Sequence, residues 1–240
     1  MTEDGANGVA VGAPAADAGA STSRRLGRQI ILAEAVRFID THGRDRLTMR
    51  RLGSVLGVEA MALYRYVPGR EQLLDGVVEY VMNELYESTM RQAVPESWQE
   101  YLQQMAHGVR TLAVRHPRVF PLVATRPPAA PWLRPPLRSL RWVEGFLAGL
   151  DFHGFSKMES VEVYRAFSTF LLGHLLLEAG TLSDGESESI GDDIEFYESN
   201  DLNEYPKLLE LSDKLSQDAF DVEFEDALED LINRVALMRT

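Results

Sequence analysis

The sequence predicts an all-α protein with an N-terminal helix-turn-helix domain of three helices and a larger C-terminal helical bundle domain that dimerises. Apolar residues recur at intervals of three and four through most of the chain, which is the spacing of one helix face. Capping patterns, such as Ser97 with Glu100 and Ser156 with Glu159, mark where helices begin. With 45% apolar residues among 240, the chain is able to bury one small core and one larger core.

Residues 47–74 predict two short helices that cross at a tight turn, followed by the start of a third helix. The Thr48 hydroxyl stands where it accepts from the free N–H groups of a first helix over residues 49–56. Gly57 ends that helix because glycine adopts the left-handed conformation without steric cost. Gly53, one turn earlier, permits a close crossing of the two helices.

The second helix of this unit is predicted over residues 59–66, barely two turns. Such a short helix depends on docking against the first, so its outer face is free to lie in the major groove of DNA. The side chains expected in the shared core are Met49, Leu52, Leu56, Val58, Leu63 and Tyr66. The side chains expected to point outward are Arg50, Arg51, Ser54, Glu59, Ala60, Ala62 and Arg65.

The charge distribution separates this unit from the rest of the chain. Residues 24–70 contain ten arginines and four acidic residues, a net charge of +6, whereas the whole chain carries −13. The remainder therefore carries −19. A polyanion is attracted by one module and repelled by the others, which favours DNA binding over a merely solvated helical surface.

These residues resemble the DNA-binding domain of TetR-type transcriptional regulators. The resemblance is carried by Thr48, Met49, Arg50, Leu52, Leu56-Gly57-Val58, Leu63-Tyr64, Tyr66-Val67 and Arg70-Glu71-Gln72-Leu73-Leu74. Further along, the chain is similar to the tetracycline-repressor-like ligand and dimerisation domain at Ser97-Trp98-Gln99, Thr125-Arg126-Pro127, Gly154-Phe155 and Leu171-Leu172-Gly173. The resemblance implies a ligand-responsive, dimeric regulator that binds a double-stranded DNA operator.

Side-chain chemistry assigns roles within the DNA-reading unit. Arg50 is suited to a bidentate pair with guanine, and the resemblance also places a base contact there. Ala60, Met61 and Ala62 offer apolar contact with thymine methyl groups rather than strong hydrogen bonds. The remaining candidates are suited to phosphate oxygens. The predicted DNA-binding set is Thr48, Met49, Arg50, Ala60, Met61, Ala62, Tyr64, Arg65, Tyr66 and Arg70.

Three assignments in this region stay open. Arg24, Arg25 and Arg28 either reach the DNA backbone or minor groove, or are solvated surface. The Tyr66 ring is expected in the core, with its hydroxyl alone available to phosphate. Glu59 is expected to cap the second helix in preference to recognising cytosine.

The chain is predicted to divide into a disordered tail over residues 1–23, the helix-turn-helix domain over 24–69 and the larger domain over 70–240. The first helix spans residues 24–42 and ends at Gly43. The tail lacks the apolar stretch of a signal peptide, and no apolar run reaches the roughly 20 residues of a membrane span. There is no cysteine, which excludes disulfides and thiol catalysis and fits a cytoplasmic location.

The larger domain begins with a connector helix over residues 70–91, which runs from the DNA-binding unit into the bundle. Further helices are expected over residues 98–115, 117–124, 137–152, 156–179, 206–216 and 219–238. The Pro-rich residues 126–136 form a loop with Trp132 and Leu133 turned inward. Residues 181–204 are an acidic mobile linker, which either gates a pocket or is simply solvated.

The two helices over residues 156–179 and 219–238 have apolar stripes too wide for one covered face. We expect them to pair with their copies in a second subunit as a four-helix interface, as in the family the chain resembles. A homodimer of this kind places its two recognition helices about 34 Å apart, one turn of B-DNA, on a near-palindromic site.

The larger domain is rich in aromatic and flexible apolar residues, which either close the bundle or line an effector pocket. Each of them singly is explained by core packing; for the group, the resemblance favours a pocket. The predicted ligand-binding set is Tyr86, Met105, Val109, Leu122, Thr125, Val143, Phe146, Tyr164 and Phe167. Phe120, Trp132 and Phe170 are further candidates.

The sequence departs from tetracycline repressors at the metal site of that group. Where those proteins place a histidine before Thr-Arg-Pro this chain has Leu122, and the downstream histidine and glutamate align with Thr169 and Leu177. We therefore expect no metal, no cofactor and no tetracycline, but an apolar effector. The five histidines lack metal-ligand spacing; His116 and His174 lie either near the pocket or in ordinary packing.

The sequence thus predicts a repressor that a small apolar effector releases from DNA. The alternative is an all-helical small-molecule binding protein or enzyme in which the helix-turn-helix is only scaffold. The sequence contains no pattern that favours an enzyme. It has no nucleophile with a base, no pair of carboxylates in an apolar setting and no phosphate-binding loop. The operator sequence, the effector and the regulated genes are not encoded in any pattern of the chain.

Overall fold

A computed structural model of the chain describes residues 26–126, 133, 139–184, 205–217 and 219–239. Within these ranges the protein is all helical, without a β-strand, as the sequence predicts. The helices are α1 (Arg28–His42), α2 (Met49–Leu56), α3 (Ala60–Leu63), α4 (Arg70–Met90), α5 (Trp98–Arg115), α6 (Phe120–Thr125), α7 (Leu140–Phe152), α8 (Lys157–Asp184), α9 (Pro206–Leu215) and α10 (Phe220–Met238). A short 3₁₀ helix, Arg44–Arg46, links α1 to α2.

The predicted caps of α2 are confirmed. The Thr48 side chain accepts a hydrogen bond from the Arg51 N–H at 3.2 Å, and Gly57 is left-handed at φ 69° and ψ 28°. A Cβ on Gly53 would lie 2.8 Å from the Val58 carbonyl oxygen and 3.2 Å from the Ala60 nitrogen. Only glycine therefore allows α2 and α3 to cross at this distance.

The second helix of the motif is shorter than predicted. The α-helix covers Ala60–Leu63, after which the N–H groups of both Tyr66 and Val67 donate to the Leu63 carbonyl. Pro68 has no N–H to donate to the Tyr64 carbonyl, so the α-helical hydrogen bonds do not continue past the Leu63 carbonyl. This ending corrects one core assignment: Val67 is 2% exposed and packs in the core, whereas Tyr66 is 40% exposed.

The larger domain is built around α8, which packs against α5, α6, α7 and α10, while α4 joins it to the N-terminal unit. The largest fully buried side chains there are Phe120, Trp142, Phe146, Phe167 and Phe224. The predicted capping box is complete at α8, where Ser156 and Glu159 bond reciprocally. At α5 its serine half forms, because the Ser97 hydroxyl accepts from the Glu100 N–H, and no return bond from the Glu100 side chain is found in the described residues. Gly154 ends the turn after α7 at φ 81°.

Helix α8 continues to Asp184, five residues beyond its predicted end, so residues 181–184 are helical rather than part of a linker. The hydroxyls of Thr181 and Ser183 donate to carbonyls of the preceding turn, so both polar groups have partners within the helix. Residues 185–204 of the predicted linker, the 1–23 tail and Trp132 lie outside the described residues. Leu133 is buried as expected.

Polar contacts fix the N-terminal unit on the larger domain. The Nδ1 atom of His116 lies 2.6 Å from a carboxylate oxygen of Asp40 at the end of α1. The Arg118 guanidinium donates to the carbonyls of Asp40 and Thr41, each at 3.0 Å. Arg126 pairs with Asp75 of α4 at 2.7 Å. The end of α1 and the start of α4 are thus both tied to the α5–α6 region.

In the described ranges no helix is both long enough and apolar enough to cross a bilayer. Helix α9 contains no buried residue, and its leucines 208, 209, 211 and 215 are all exposed.

Candidate functional site

Four of the predicted DNA-reading side chains lie at the surface of α2 and α3: Arg50, Ala60, Met61 and Ala62. Arg50 is exposed on α2, and no side-chain partner is found for it among the described residues. Met61 projects from α3 with 74% of its surface exposed, between the half-buried Ala60 and Ala62. The Arg50 guanidinium and the apolar Met61 side chain therefore lie on two neighbouring helices, whose close contact depends on Gly53.

Aromatic and cationic side chains follow α3. Tyr64 is 42% exposed and Tyr66 40% exposed, and Arg65 between them is exposed without a side-chain partner in the described part of the chain. All three side chains are exposed, and their role at phosphates stays a prediction. Met49, by contrast, is buried, so its side chain serves the core of the motif.

The expected cap by Glu59 is wrong. Glu59 occupies the N-cap position of α3, but its side chain makes no capping hydrogen bond and is exposed. Its backbone supplies the helix start instead, since the Glu59 carbonyl accepts from the Ala62 N–H at 2.9 Å.

The Arg70 side chain bonds backbone carbonyls of the N-terminal unit, a role that the sequence does not indicate. Its Nε donates to the Leu47 carbonyl and one terminal nitrogen donates to the Arg44 carbonyl, both at 3.1 Å. The start of α4 is thereby tied to the segment that precedes α2. Arg28 is likewise paired, with Glu79 of α4 at 2.9 Å, whereas Arg24 and Arg25 lie outside the described residues.

The predicted ligand-binding residues form a packed cluster rather than an open cavity. Seven of them are buried: Met105, Val109, Leu122, Val143, Phe146, Tyr164 and Phe167. Tyr86 is half-buried under the Arg141 guanidinium, 3.7 Å from its ring centre, and Thr125 is exposed with its hydroxyl bonded to the Pro121 carbonyl. Aromatic contacts link Phe146 to both Tyr164 and Phe167.

A pocket of about 240 Å³ opens beside this cluster, between α4, α5 and α7. Only Tyr86 and Met105 of the predicted set line it. Tyr101 forms one wall, and burial raises the pKa of its phenol, which donates to the Phe146 carbonyl at 3.1 Å. The volume lies below the roughly 300–1,000 Å³ typical of ligand pockets.

The two histidines considered for the pocket have other partners. His116 pairs with Asp40, as described above. His174 lies among the rings of Phe170, Phe220 and Phe224. No group of three or more potential metal-binding side chains is found among the described residues.

The sequence reasoning missed a buried charged pair between α5 and α8. Arg110 donates to Glu178, with 2.6 Å between Nη2 and Oε1, and Glu178 is 5% exposed. The hydrogen bonds to Glu178 raise the pKa of Arg110 above its ordinary value. The sequence does show Glu178 as an isolated glutamate in an apolar part of α8. Its partner Arg110 is 68 positions away, so no local pattern indicates the pair.

Family models of known proteins match the chain in two adjacent regions. The model for bacterial regulatory proteins of the tetR family matches residues 31–77, which contain α2, α3 and the start of α4. The tetracyclin repressor-like C-terminal domain matches residues 93–238.

Curated relatives are similar over part of their length. The HTH-type transcriptional repressor DrrR1 of Streptomyces coeruleorubidus is 33% identical over 101 residues, which are 42% of this chain and 37% of the relative. The class D tetracycline repressor protein of Escherichia coli is 29% identical over 154 residues, covering 63% of this chain and 66% of the relative. The chain thus spans less than two thirds of either protein.

Solved structures are similar over nearly the whole fold. A possible TetR family transcriptional regulator from Streptomyces coelicolor A3(2) superimposes with a TM-score of 0.69 at 24% identity, covering 88% of this chain and 99% of that one. The TetR family protein ActR of Streptomyces coelicolor, in complex with actinorhodin, gives a TM-score of 0.65 at 25% identity, covering 89% and 96%.

The motif around Thr48 and Gly57, the all-helical architecture and the two matched domains agree with one another. Because the C-terminal match alone covers more than half of the sequence, the chain belongs to the tetR family of bacterial regulatory proteins.

Proposed function

We propose that this protein is a cytoplasmic transcriptional repressor that binds a near-palindromic DNA operator as a homodimer and leaves it when a small effector binds. The observation that carries the proposal is the exposed face formed by α2, α3 and the residues that follow α3. There Arg50 and Arg65 stand without side-chain partners in the described residues, on a unit of net positive charge within a chain of net charge −13.

The division of labour within this face follows from side-chain chemistry. Arg50 reads guanine, Met61 and its alanine neighbours contact thymine methyl groups, and the residues after α3 bind phosphate. Arg70 takes part indirectly, because its hydrogen bonds to the Leu47 and Arg44 carbonyls hold the start of α4 against the motif.

Dimerisation is proposed through α8 and α10. Met158 and Leu177 of α8 are 70% and 69% exposed, and Val222 and Leu237 of α10 are 63% and 76% exposed. A cleft of about 880 Å³ lies between the two helices, with Phe170 and Leu231 in its wall. A second copy of the same pair of helices supplies the cover that these apolar side chains need.

The effector is proposed to be a largely apolar molecule that enters the α4–α5–α7 region. ActR, which shares this fold, has been crystallised with actinorhodin. The present pocket beside Tyr86 is small, so binding requires the aromatic cluster around Phe146 to separate. Since Tyr86 lies on α4, that movement reaches the DNA-binding unit through a single helix.

Retardation of the DNA upstream of the protein's own gene tests the proposal. We expect specific binding at 50 mM salt, with a loss of about 10³- to 10⁵-fold by 200 mM if six to ten phosphates are contacted. An unrelated duplex of equal length and composition is the control. Equal affinity for both duplexes, or none for either, would contradict an operator-binding function.

A further inference from the structure

A second pocket, of about 630 Å³, lies between α5, the C-terminal end of α8 and the start of α10. It shares no lining residue with the predicted ligand-binding set or with the pocket beside Tyr86. Its volume falls within the range of small-molecule sites. Its walls combine buried charged groups with exposed apolar side chains.

The charged part of the pocket is centred on Arg110, whose side chain is 16% exposed. Two of its nitrogens bond Glu178, which is nearly buried, so the guanidinium is held in a fixed orientation. Removing either partner would leave the other charge buried and unpaired, so we expect the Arg110–Glu178 ion pair to stay intact.

The outer edge of the same guanidinium bonds Asp221, in the first turn of α10. The Asp221 side chain is 90% exposed, unlike Glu178. A carboxylate that is almost fully solvated gains little from one more ion pair. It is therefore readily exchanged for another carboxylate that brings its own contacts.

Those further contacts are apolar. Val114 of α5 and Leu182 of α8 are 46% and 45% exposed at the pocket, and the half-buried Phe220 completes the wall. Arg115, also at the pocket, is exposed and has no side-chain partner in the described residues. The polar side of the pocket therefore contains Arg115 and the Arg110 guanidinium with its two carboxylate partners, and the other side is uncovered hydrocarbon.

We propose that this pocket binds a carboxylic acid with an apolar body, whose carboxylate replaces Asp221 on the outer edge of Arg110. The apolar body covers Val114, Leu182 and Phe220. Such a ligand differs in class from the uncharged apolar effector expected in the aromatic cluster.

The same pocket adjoins the contacts that hold the DNA-binding unit. Arg115 and Leu182 line it. The residue after Arg115, His116, contacts Asp40 of α1, and the residue after Leu182, Ser183, accepts a hydrogen bond from Arg118. The Arg118 guanidinium bridges the Ser183 carbonyl at 3.3 Å to carbonyls at the end of α1. Resting on the proposed function, a ligand that shifts the end of α8 therefore changes the orientation of the reading unit and lowers DNA affinity.

Binding is tested by calorimetry on the full chain without DNA. The probes are octanoate, decanoate and 2-naphthoate, each compared with its primary amide. We expect at least one carboxylate to bind with a Kd below 1 mM and at least tenfold more tightly than its amide. Asp221→Ala, which removes the competing carboxylate, should tighten carboxylate binding about 3- to 10-fold and leave the amides unchanged.

Two matched variants locate the site. Thr111→Phe fills the pocket from an exposed position of α5 and should weaken carboxylate binding at least tenfold. Ala148→Phe fills the pocket beside Tyr86 instead and should leave it unchanged. No carboxylate binding, equal binding of amides, or the same response to both variants would overturn the proposed site.

The effect on DNA is a separate measurement. Where upstream DNA binds, adding the tightest carboxylate should weaken that binding at least fivefold, and Arg118→Met should remove this effect while calorimetric binding persists. Carboxylate binding without any change in DNA affinity would overturn the coupling and leave the site intact. Failure of the free chain to bind DNA would overturn the proposed function and not the site.

Discussion

Arg50 is the residue on which the proposed base recognition most depends. Its guanidinium is exposed on α2 and unpaired in the described part of the chain, so it keeps all its donors for a base. We expect Arg50→Ala to weaken operator binding by about 1–3 kcal/mol and to relax specificity at one base pair. Fluorescence anisotropy at fixed salt measures both changes.

The control for this variant is Arg37→Ala, which also removes one positive charge. Arg37 lies on α1 and pairs with Glu34 at 3.0 Å. It should leave the order of preference among operator variants unchanged. A substitution at Arg50 that weakens all sequences equally would identify it as a phosphate contact instead.

Arg70 separates a structural role from a direct DNA contact. Because its side chain bonds the Leu47 and Arg44 carbonyls, we expect Arg70→Met to destabilise the fold by about 1–3 kcal/mol and to lower Tm by several degrees. Arg65→Met removes an exposed cation that has no side-chain partner in the described ranges, and it should change Tm little. Thermal unfolding of both variants measures the difference in Tm. An unchanged Tm for Arg70→Met would indicate that Arg70 contacts phosphate instead.

At the scale of elements, the crossing of α2 and α3 depends on one missing side chain. A Cβ at position 53 would meet backbone atoms, which are unable to rotate away as a side chain does. Gly53→Ala should therefore push α3 outward and destabilise the unit by about 1–3 kcal/mol. Thermal unfolding and operator affinity should fall together.

Gly180→Ala is the matched control, since a Cβ added to this helical glycine on α8 would meet no neighbouring atom within 4 Å. It should be neutral or slightly stabilising, because alanine favours helix by about 1 kcal/mol over glycine. Equal losses in the two variants would mean that backbone flexibility, rather than close approach, determines the effect at position 53.

The sequence predicts best where neighbouring residues decide the structure. The caps at Thr48, Gly57 and Ser97 and the capping box at Ser156 depend on local hydrogen bonds, and all are found. Periodicity overestimates the length of α3, because it takes no account of Pro68, which has no N–H to continue the helical hydrogen bonds.

Tertiary partners are beyond the reach of the pattern. The bonds from Arg70 to two preceding carbonyls, and the pair formed by Arg110 and Glu178, join residues with no characteristic spacing. Whether Phe146 and Phe167 fill a core or line a cavity depends on the volume left between helices. The amino-acid composition is the same whether these residues fill a core or line a cavity.

At the scale of the whole molecule, both the net negative charge and the exposed apolar surface of α8 and α10 bear on the proposed DNA binding. A chain of net charge −13 binds DNA only if its cationic units are presented at the right positions. Two units held by one dimer interface gain affinity together, because the second binds intramolecularly once the first is seated. In the proposed dimer, operator affinity should therefore depend on the pairing of α8 and α10.

Leu177→Glu tests this coupling. Leu177 is 69% exposed in an apolar stretch of α8, and the two-fold symmetry of a dimer would place a new carboxylate on each subunit at or beside the interface. We expect a wild-type dimer and a variant that sediments as a monomer at micromolar concentration, with operator affinity at least tenfold lower. Leu208→Glu, on the exposed helix α9, should remain dimeric and bind normally. A monomeric wild type, or a Leu177→Glu dimer that binds as before, would contradict the assignment of this face.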